Sequence, residues 1–159
     1  TERIWVGSRS VRLTALDLSP YYLQEAREML ADVADVSFVA ENAEQLPFRD
    51  EHFDVVTNVY LFHELPRPAR RRVIAEAWRV LAPGGLFVIE DSAQLAESGD
   101  LAYFMGRFAT EFHEPFYRDY VEDDLAGALA EAGFVVESVE PHYVAKVFVA
   151  RKPKEDSLT

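Results

Sequence analysis

The stretch Glu41–Leu65, ENAEQLPFRDEHFDVVTNVYLFHEL, carries the clearest indication of how this chain folds. It joins a polar loop to a short apolar run, Phe53–Thr57, which has the length and composition of a buried strand. The run then breaks into Asn58, Tyr60 and His63, residue types that a buried strand end does not need for packing. In open α/β folds, ligands bind outside the carboxyl ends of parallel strands. The stretch therefore predicts a strand that ends in a binding or catalytic site.

The bulk composition is that of an ordinary globular protein. The chain has 159 residues, of which 49% are hydrophobic and 28% are charged, and such a length is usual for one domain. We expect a single domain over residues 1–151 and a disordered tail over residues 152–159. No cysteine occurs, which excludes disulfides, thiolate metal sites and a thiol nucleophile. We therefore expect no metal site.

The charge balance argues against nucleic acid as a partner. The formal net charge is −12, and an acidic surface repels phosphate backbones. The one basic cluster, Arg67 with Arg70, Arg71 and Arg72, has no interleaved aromatic residues that could stack on bases. We interpret it as a solvated helix face. No apolar run approaches the ~20 residues of a membrane span, and no signal peptide opens the chain. The expected location is the cytoplasm, with no membrane partner.

Predicted strands and helices alternate around the opening stretch. The strands are Val11–Leu16, Val36–Ala40, Phe53–Thr57 and Leu86–Glu90; one helix runs from Ser19 to Leu30, and another begins at Pro68 and ends before Pro83, Gly84 and Gly85. Alternation of this kind indicates βαβ units and a parallel sheet. The first strand runs into Asp17, which places a carboxylate at its carboxyl end.

The pattern changes after Asp91. A helix is predicted over Val121–Ala132, and two strands, Phe134–Glu140 and Tyr143–Ala150, follow around a short turn at Pro141 and His142. A connection this short makes the two strands antiparallel.

The segment Leu101–Tyr120 is helical in propensity and rich in aromatic residues. It is either a packing helix or a lid over a substrate pocket. The residues proposed for the lid are Tyr103, Phe104, Phe108 and Phe112.

The sequence resembles the class I S-adenosylmethionine-dependent methyltransferases, in particular the small-molecule branch that includes the quinone-biosynthesis enzymes. The motifs that carry the resemblance occur in the family's order: TALDLSP at Thr14–Pro20, ENAEQLPF at Glu41–Phe48, FDVVTNVYLFHEL at Phe53–Leu65, WRVLAPGGLFVIED at Trp78–Asp91 and EAGF at Glu131–Phe134. The resemblance implies a Rossmann-like three-layer α/β sandwich whose sheet is mostly parallel, with an antiparallel C-terminal strand pair. It also implies S-adenosyl-L-methionine as the cofactor and a small, partly apolar molecule as the methyl acceptor.

The same resemblance implies which residues bind the cofactor. Asp17, followed by Leu18, matches the acidic position that accepts the ribose hydroxyls; the alternative is that Asp17 only caps the helix that Ser19 begins. Asn42 stands where the family usually has Asp, which receives the adenine amino group, and an Asn carbonyl can still accept that bond. Ala43 and Leu46 would contact the adenine ring. Asn58 and Val59 match positions beside the methionine part.

His63 is the candidate catalytic residue. It matches a family position that faces the pocket, and its ordinary pKa suits a general base. The alternatives are that it orients the substrate or satisfies a backbone group. Methyl transfer from a sulfonium often needs no strong base, because alignment of the reacting atoms is the main task.

One family feature is missing from the sequence, namely the glycine-rich loop after the first strand. Gly7 follows an apolar run, but only three residues separate it from Val11, whereas a parallel crossover needs about a dozen. Arg3–Gly7 is therefore not the first strand of a complete unit. We expect the strand edges left open near Asp17 and Thr57 to be paired by Arg3–Val6, by each other or by a second chain, and we favour a second chain or further sequence. A homo-oligomer through exposed sheet edges follows as an expected partner.

Three functions are consistent with these patterns. The first is a methyltransferase whose N-terminal part is missing. The second is a methyltransferase-like domain that binds no cofactor and serves as an assembly or interaction module. The third is a nicotinamide-dependent oxidoreductase, because Asp17 would also suit the ribose of a nicotinamide cofactor. The segments FDVVTNVYLFHEL and PGGLFVIE argue against this third function.

Overall fold

A computed structural model describes residues 11–31, 36–95 and 114–154. The chain divides into two compact units, Thr1–Pro47 and Phe48–Thr159. Both units contain parallel strand pairs joined through helices, which is the Rossmann-like α/β pattern that the sequence predicts. The prediction of one domain over residues 1–151 stays a prediction.

The first unit is a βαβ element. Strand β1, Leu13–Asp17, pairs in parallel with β2, Val36–Ala40, and helix α1, Pro20–Met29, connects them. Pro20 stands in the first turn of α1, as predicted, where its missing N–H leaves no hydrogen bond unmade. Asp17 lies opposite Ala40 at the carboxyl ends of both strands.

The second unit contains a four-stranded sheet with the order β3-β4-β6-β5. Its strands are β3, Phe53–Val59; β4, Leu81–Ser92; β5, Val135–His142; and β6, Ala145–Arg151. Strands β3 and β4 are parallel, whereas β6 is antiparallel to both of its neighbours. The predicted antiparallel C-terminal pair is confirmed. The predicted turn at Pro141 and His142 is wrong: both belong to β5, and the chain turns at Tyr143 and Val144.

Helix α2, Arg67–Val80, covers part of this sheet with the apolar face that its spacing predicts. Val73, Ile74, Ala77 and Val80 are all buried. The chain enters β4 directly after the helix, and Gly84 bulges outward with φ +85°, a conformation that glycine adopts without strain. A Cβ on Gly85 would lie 2.8 Å from the Ala82 carbonyl oxygen and 3.0 Å from that of Asp54. The Pro-Gly-Gly motif thus permits both a turn and a close approach to β3.

The basic cluster on α2 is not the solvated face that the sequence suggested. Arg70 is fully buried and forms ion pairs with Asp119 and Asp123. Arg71 also pairs with Asp123, at 2.7 Å. The interpretation failed because helical spacing alone does not show that carboxylates about fifty residues further along the chain pack against the same turn.

Two short helices follow in place of the single predicted helix Val121–Ala132. Helix α3 is Tyr117–Val121 and helix α4 is Leu125–Glu131. They are separate because the Asp124 side chain caps α4, accepting a hydrogen bond from the Gly127 backbone N–H. The proposed lid residues Tyr103, Phe104, Phe108 and Phe112 lie outside the described residues. Among the helices that the structure describes, none is long and apolar enough to cross a membrane.

The described chain continues past the boundary expected at residue 151. The Lys152 backbone N–H donates to the Gly85 carbonyl at 2.9 Å, and its Nζ donates to the Trp78 and Leu81 carbonyls. At the other edge of the four-stranded sheet, β3 pairs only with β4 within the part of the chain described. The segment Arg3–Val6, proposed to pair with an open edge, lies outside those residues.

Candidate active site

The site in the second unit is built where β3 ends. A 3₁₀ turn, Phe62–Glu64, follows the strand, and the Phe62 ring is completely buried against Phe87, with 6.5 Å between ring centroids. This buried ring anchors the turn on the sheet. It thereby fixes the backbone that presents His63.

His63 forms a tight pair with Asp91 of β4. Its Nδ1 lies 2.7 Å from Asp91 Oδ1. The Asp91 side chain is completely buried, and it also accepts hydrogen bonds from the backbone N–H groups of Phe62 and Ser92, both at 2.7 Å. Three donors therefore satisfy the oxygens of one buried carboxylate. Parallel pairing of β3 with β4 brings these two strand ends together.

This contact determines the tautomer of His63. An ionised carboxylate only accepts hydrogen bonds, so Nδ1 must carry the proton and the neutral ring keeps a lone pair on Nε2. Burial by itself would lower the pKa of His63, but the hydrogen bond and negative charge of Asp91, with smaller contributions from Glu64 and Glu114, raise it above the ordinary 6.5. A ring held in this way can accept a proton at Nε2.

Three tyrosine rings surround His63 edge to face. Ring centroids lie 6.1 Å away for Tyr60, 6.1 Å for Tyr117 and 6.2 Å for Tyr120. Tyr117 and Tyr120 are buried, and the Tyr120 hydroxyl donates to the Ser92 carbonyl oxygen at 2.5 Å. Burial raises the pKa of Tyr117, so its hydroxyl stays neutral near pH 7. The surroundings of the imidazole are thus aromatic, with polar groups at defined points.

The buried arginine on α2 holds the helix that carries two of these tyrosines. Arg70 Nε donates to Asp123 Oδ2 at 2.8 Å, and its other nitrogens reach Asp119 and the Leu65 carbonyl oxygen. Burial by itself would raise the pKa of Asp123, but its hydrogen bond with Arg71 and the neighbouring arginine charges hold that pKa below the ordinary 3.8. Helix α3 is therefore fixed against α2 by charge as well as by packing.

A second buried polar group lies beside α3. Gln94 Nε2 donates to the carbonyl oxygens of Tyr120 and Asp123, at 2.9 and 2.5 Å, and Lys146 Nζ donates to Gln94 Oε1 at 3.1 Å. Lys146 lies on β6 directly opposite Asp91. These contacts satisfy the carbonyl groups at the end of the short helix.

In the first unit, Asp17 and Asn42 lie after neighbouring parallel strands and therefore at the same sheet edge. Asp17 Oδ1 accepts the Ser19 backbone N–H at 2.7 Å, a local bond two residues along the chain that precedes the first turn of α1. Asn42 Oδ1 accepts the Glu44 backbone N–H at 2.9 Å. Each carboxyl or amide oxygen has further lone pairs, so these local bonds leave acceptor capacity on both side chains. Leu18 is exposed, and Ala43 is half-buried.

In the second unit, Asn58 and Val59 form the last part of β3, opposite Ile89 and Glu90. Asn58 Oδ1 is buried and has no hydrogen-bond partner among the residues that the structure describes. A buried acceptor without a donor is costly, which suggests that a bound group supplies one. Over the same residues, no group of three or more His, Asp or Glu side chains is arranged to hold a metal ion.

Sequence reasoning identified His63 but missed its partners. Asp91 ends an apolar strand just as Asp17 does, and that position was a usable signal. Tyr117 and Tyr120 had no such signal, because they reach His63 only through the docking of α3.

Comparison with known proteins gives the family. A family model described as a methyltransferase domain matches residues 3–89. A protein of Synechocystis described as an uncharacterised methyltransferase is 31% identical over 136 residues, which are 84% of this chain and 61% of that protein. The ubiquinone/menaquinone biosynthesis C-methyltransferase of Psychromonas ingrahamii is 38% identical over 90 residues, 54% of this chain and 35% of the enzyme. The chain thus spans less than two thirds of the length of each of these two relatives.

The fold is also found in solved structures. A protein of Bacillus halodurans described as a candidate methyltransferase superposes with a TM-score of 0.76 at 21% identity, over 91% of this chain and 84% of that one. A protein of Methanosarcina mazei described as a SAM-dependent methyltransferase superposes with a TM-score of 0.70 at 21% identity, over 89% of this chain and 82% of that one. At these identities the likeness shows the fold, which is the Rossmann-like α/β fold. Because the family model covers more than half of its length, the chain belongs to the methyltransferase domain family.

Proposed function

We propose that this chain is part of an S-adenosylmethionine-dependent methyltransferase that acts on a small, partly apolar acceptor. The observation that carries the proposal is the His63–Asp91 pair, at 2.7 Å, within a wall of tyrosine rings in a chain of this family. Such a pair can take a proton from a nucleophile that is about to be methylated.

Each unit by itself contains residues whose chemistry suits a part of the proposed cofactor. Asp17, beside Leu18, retains acceptor capacity for a ribose diol, and Asn42, beside Ala43, retains it for an adenine amino group. The buried Asn58 Oδ1, next to Val59, lacks a donor that an ammonium group would supply. When bound, S-adenosylmethionine supplies an electrophilic methyl group on a positively charged sulfur.

His63 acts in this proposal as the general base. Nε2 accepts the proton that the acceptor's hydroxyl loses. Nδ1 keeps its own proton, which stays hydrogen-bonded to Asp91. The negative charge of Asp91 then stabilises the imidazolium, so the proton is retained until product leaves. Because deprotonation makes an oxygen, or a ring carbon conjugated with it, more nucleophilic, the acceptor that fits best carries an acidic hydroxyl on a planar ring.

Two features support this acceptor class over a polyanion. The rings of Tyr60, Tyr117 and Tyr120 give His63 an aromatic environment that suits a planar apolar group. The net charge of −12 disfavours nucleic acid. The relative from Psychromonas ingrahamii is described as a quinone-biosynthesis C-methyltransferase, which is consistent with a hydroxylated ring. A cytoplasmic location and a homo-oligomer joined through sheet edges remain further proposals.

The test uses the full-length protein that contains this chain, with methyl-labelled S-adenosylmethionine and 1,4-naphthohydroquinone as the probe acceptor. We expect saturable cofactor binding by calorimetry and labelled product by chromatography. His63→Gln should lower the rate by about 100-fold or more, the usual contribution of a general base. His142→Gln is the matched control, since that histidine is 60% exposed on β5 and should change little.

The alternative functions predict different results. A domain that serves in assembly would bind neither S-adenosylmethionine nor the acceptor. A nicotinamide-dependent oxidoreductase would bind NAD instead. If His63→Gln binds the cofactor and keeps full activity, the methyltransferase function stands and His63 has no part in the chemistry.

A further inference from the structure

The backbone of Tyr60 has an unusual conformation for its residue type. Its φ is +50°, in the left-handed region, where a Cβ is crowded. Glycine and asparagine adopt this region readily, whereas a bulky aromatic residue there is a true outlier. Tyr60 follows Asn58 and Val59 directly at the carboxyl end of β3, so the outlier lies at the site itself.

The neighbouring structure holds Tyr60 in this conformation from both sides. Its backbone N–H donates to the Glu90 carbonyl oxygen at 2.9 Å, which extends the pairing of β3 with β4 by one residue. Two residues later, the completely buried Phe62 anchors the 3₁₀ turn. The chain must change direction between these two fixed points, and Tyr60 absorbs the change.

Packing of the Tyr60 ring does not explain why a tyrosine stands there. The residue is 44% exposed, whereas Tyr117 and Tyr120, the other two rings around His63, are 3% and 0% exposed. A glycine at position 60 would remove the crowding without opening a buried cavity. Strain that the fold does not need is typical of functional positions.

The Tyr60 ring is also the accessible wall of the His63 site. Its plane is nearly perpendicular to the imidazole, at 82°, with 6.1 Å between centroids. The His63 side chain is 13% exposed. Among these rings, only that of Tyr60 offers a large exposed surface to a molecule that approaches the imidazole.

From these observations we infer that Tyr60 is a specificity-determining residue for the methyl acceptor. Its ring packs against the planar apolar part of the acceptor and so positions the hydroxyl for Nε2 of His63. This inference rests on the proposed function. It adds to the proposed function a residue that contacts the acceptor and does not contact the cofactor.

The first measurement tests the strain. Tyr60→Gly and Tyr60→Ala both remove the ring, but only alanine keeps the Cβ that is crowded at φ +50°. Tyr60→Gly should therefore unfold at a higher temperature than Tyr60→Ala in differential scanning calorimetry, although glycine is the more flexible residue when unfolded. Equal or reversed midpoints would show that the backbone is unstrained and would overturn the inference.

The second measurement tests the contact with the acceptor. The full-length protein is titrated with 1,4-naphthohydroquinone under argon, and the His63 Hε1 resonance is followed by NMR. Tyr60→Gly should weaken the apparent affinity by about tenfold, while Tyr60→Phe should retain most of it because the ring face remains. The affinity for S-adenosylmethionine, measured by calorimetry, should be the same in all three proteins.

The outcomes separate this inference from the proposed function. If methyl transfer to the probe is retained and its affinity is unchanged in Tyr60→Gly, Tyr60 has no part in acceptor recognition and only the inference fails. If S-adenosylmethionine affinity falls instead, Tyr60 belongs to the cofactor site and the inference is wrong. If the unaltered protein binds S-adenosylmethionine but shows no saturable shift with the probe, the proposed acceptor class fails, and this role of Tyr60 with it.

Discussion

Among single residues, the proposed reaction depends on His63, whose pKa and tautomer are set by its contact with Asp91. His63 alone on an exposed loop would titrate near its ordinary pKa of 6.5. In the fold, burial lowers that value and Asp91 raises it, and the contact with Asp91 prevails together with Glu64 and Glu114. The sequence could identify the histidine, but only the pairing of β3 with β4 identifies its partner.

The first prediction concerns the pH dependence of His63. The methyl-transfer rate of the full-length protein should rise with pH as His63 loses its proton, with a midpoint above 6.5, because the folded pKa is raised. Asp91→Asn should move this midpoint to lower pH by removing the charge that stabilises the imidazolium. NMR titration of the His63 Hε1 resonance in the unaltered protein and in Asp91→Asn gives the two midpoints.

The raised pKa of His63 also makes the stability of the folded state depend on pH. A raised pKa means that the ion pair stabilises the folded state fully below about pH 6.5, and that this contribution is lost as pH rises through the folded pKa. The difference in unfolding temperature between the unaltered protein and Asp91→Asn should therefore shrink as pH rises. A difference that is independent of pH would contradict the assigned protonation.

The second prediction concerns Asp17. In the full-length protein, Asp17→Ala should weaken S-adenosylmethionine binding by about 1–3 kcal/mol, the range for charged hydrogen bonds left unmet. Because Asp17 Oδ1 also accepts the Ser19 N–H, thermal unfolding must be measured in parallel. Unchanged affinity by calorimetry would remove Asp17 from the site and leave it with only its local hydrogen bond to Ser19.

At the scale of elements, α3 is a short helix whose position is set by buried charge. A helix of 5 residues is not stable by itself, so its tertiary contacts keep Tyr117 and Tyr120 beside His63. Arg70 and Asp123 are 0% and 1% exposed in their side chains, and Asp119 and Arg71 complete the charge compensation of this pair. The sequence placed Arg70 on a helix but gave no sign that it was inside.

The third prediction follows from this pair. Arg70→Leu should lower the free energy of unfolding by about 1.5–3 kcal/mol, because Asp119 and Asp123 each lose a charged hydrogen bond while Arg71 still pairs with Asp123. Arg72→Leu, on the exposed side of the same helix, is the control and should change stability far less. Urea denaturation of the three proteins provides the comparison. A similar small loss in both variants would show that Asp123 is satisfied without Arg70.

For the whole molecule, the proposed function depends on cofactor binding. The chain spans 61% of one methyltransferase relative and 35% of another. The sequence shows no glycine-rich loop ahead of Val11 of the kind that the family places at the methionine end of the cofactor. Strand β3 pairs on one side only within residues 36–95 and 114–154.

The fourth prediction is that the 159-residue chain by itself binds S-adenosylmethionine weakly or not at all, whereas the full-length protein binds it. Isothermal titration of both with the cofactor makes the comparison, and analytical ultracentrifugation gives the oligomeric state in each case. Micromolar binding by the monomeric 159-residue chain would show that the glycine-rich loop is dispensable.

The alternation of strands and helices could be predicted from the sequence, because apolar periodicity and the preference of Pro20 for the first turn of a helix are local properties. The sequence also determined that polar residues follow β3, since Asn58, Tyr60 and His63 interrupt an apolar run. The contact between Asp91 and His63 could not be predicted in this way, because it joins residues 28 positions apart through the pairing of β3 with β4. The same holds for the burial of Arg70 and the placing of α3, whose carboxylates come from about fifty residues away. Spacing along a chain predicts which face of an element is apolar, but not which distant charge will pack against it.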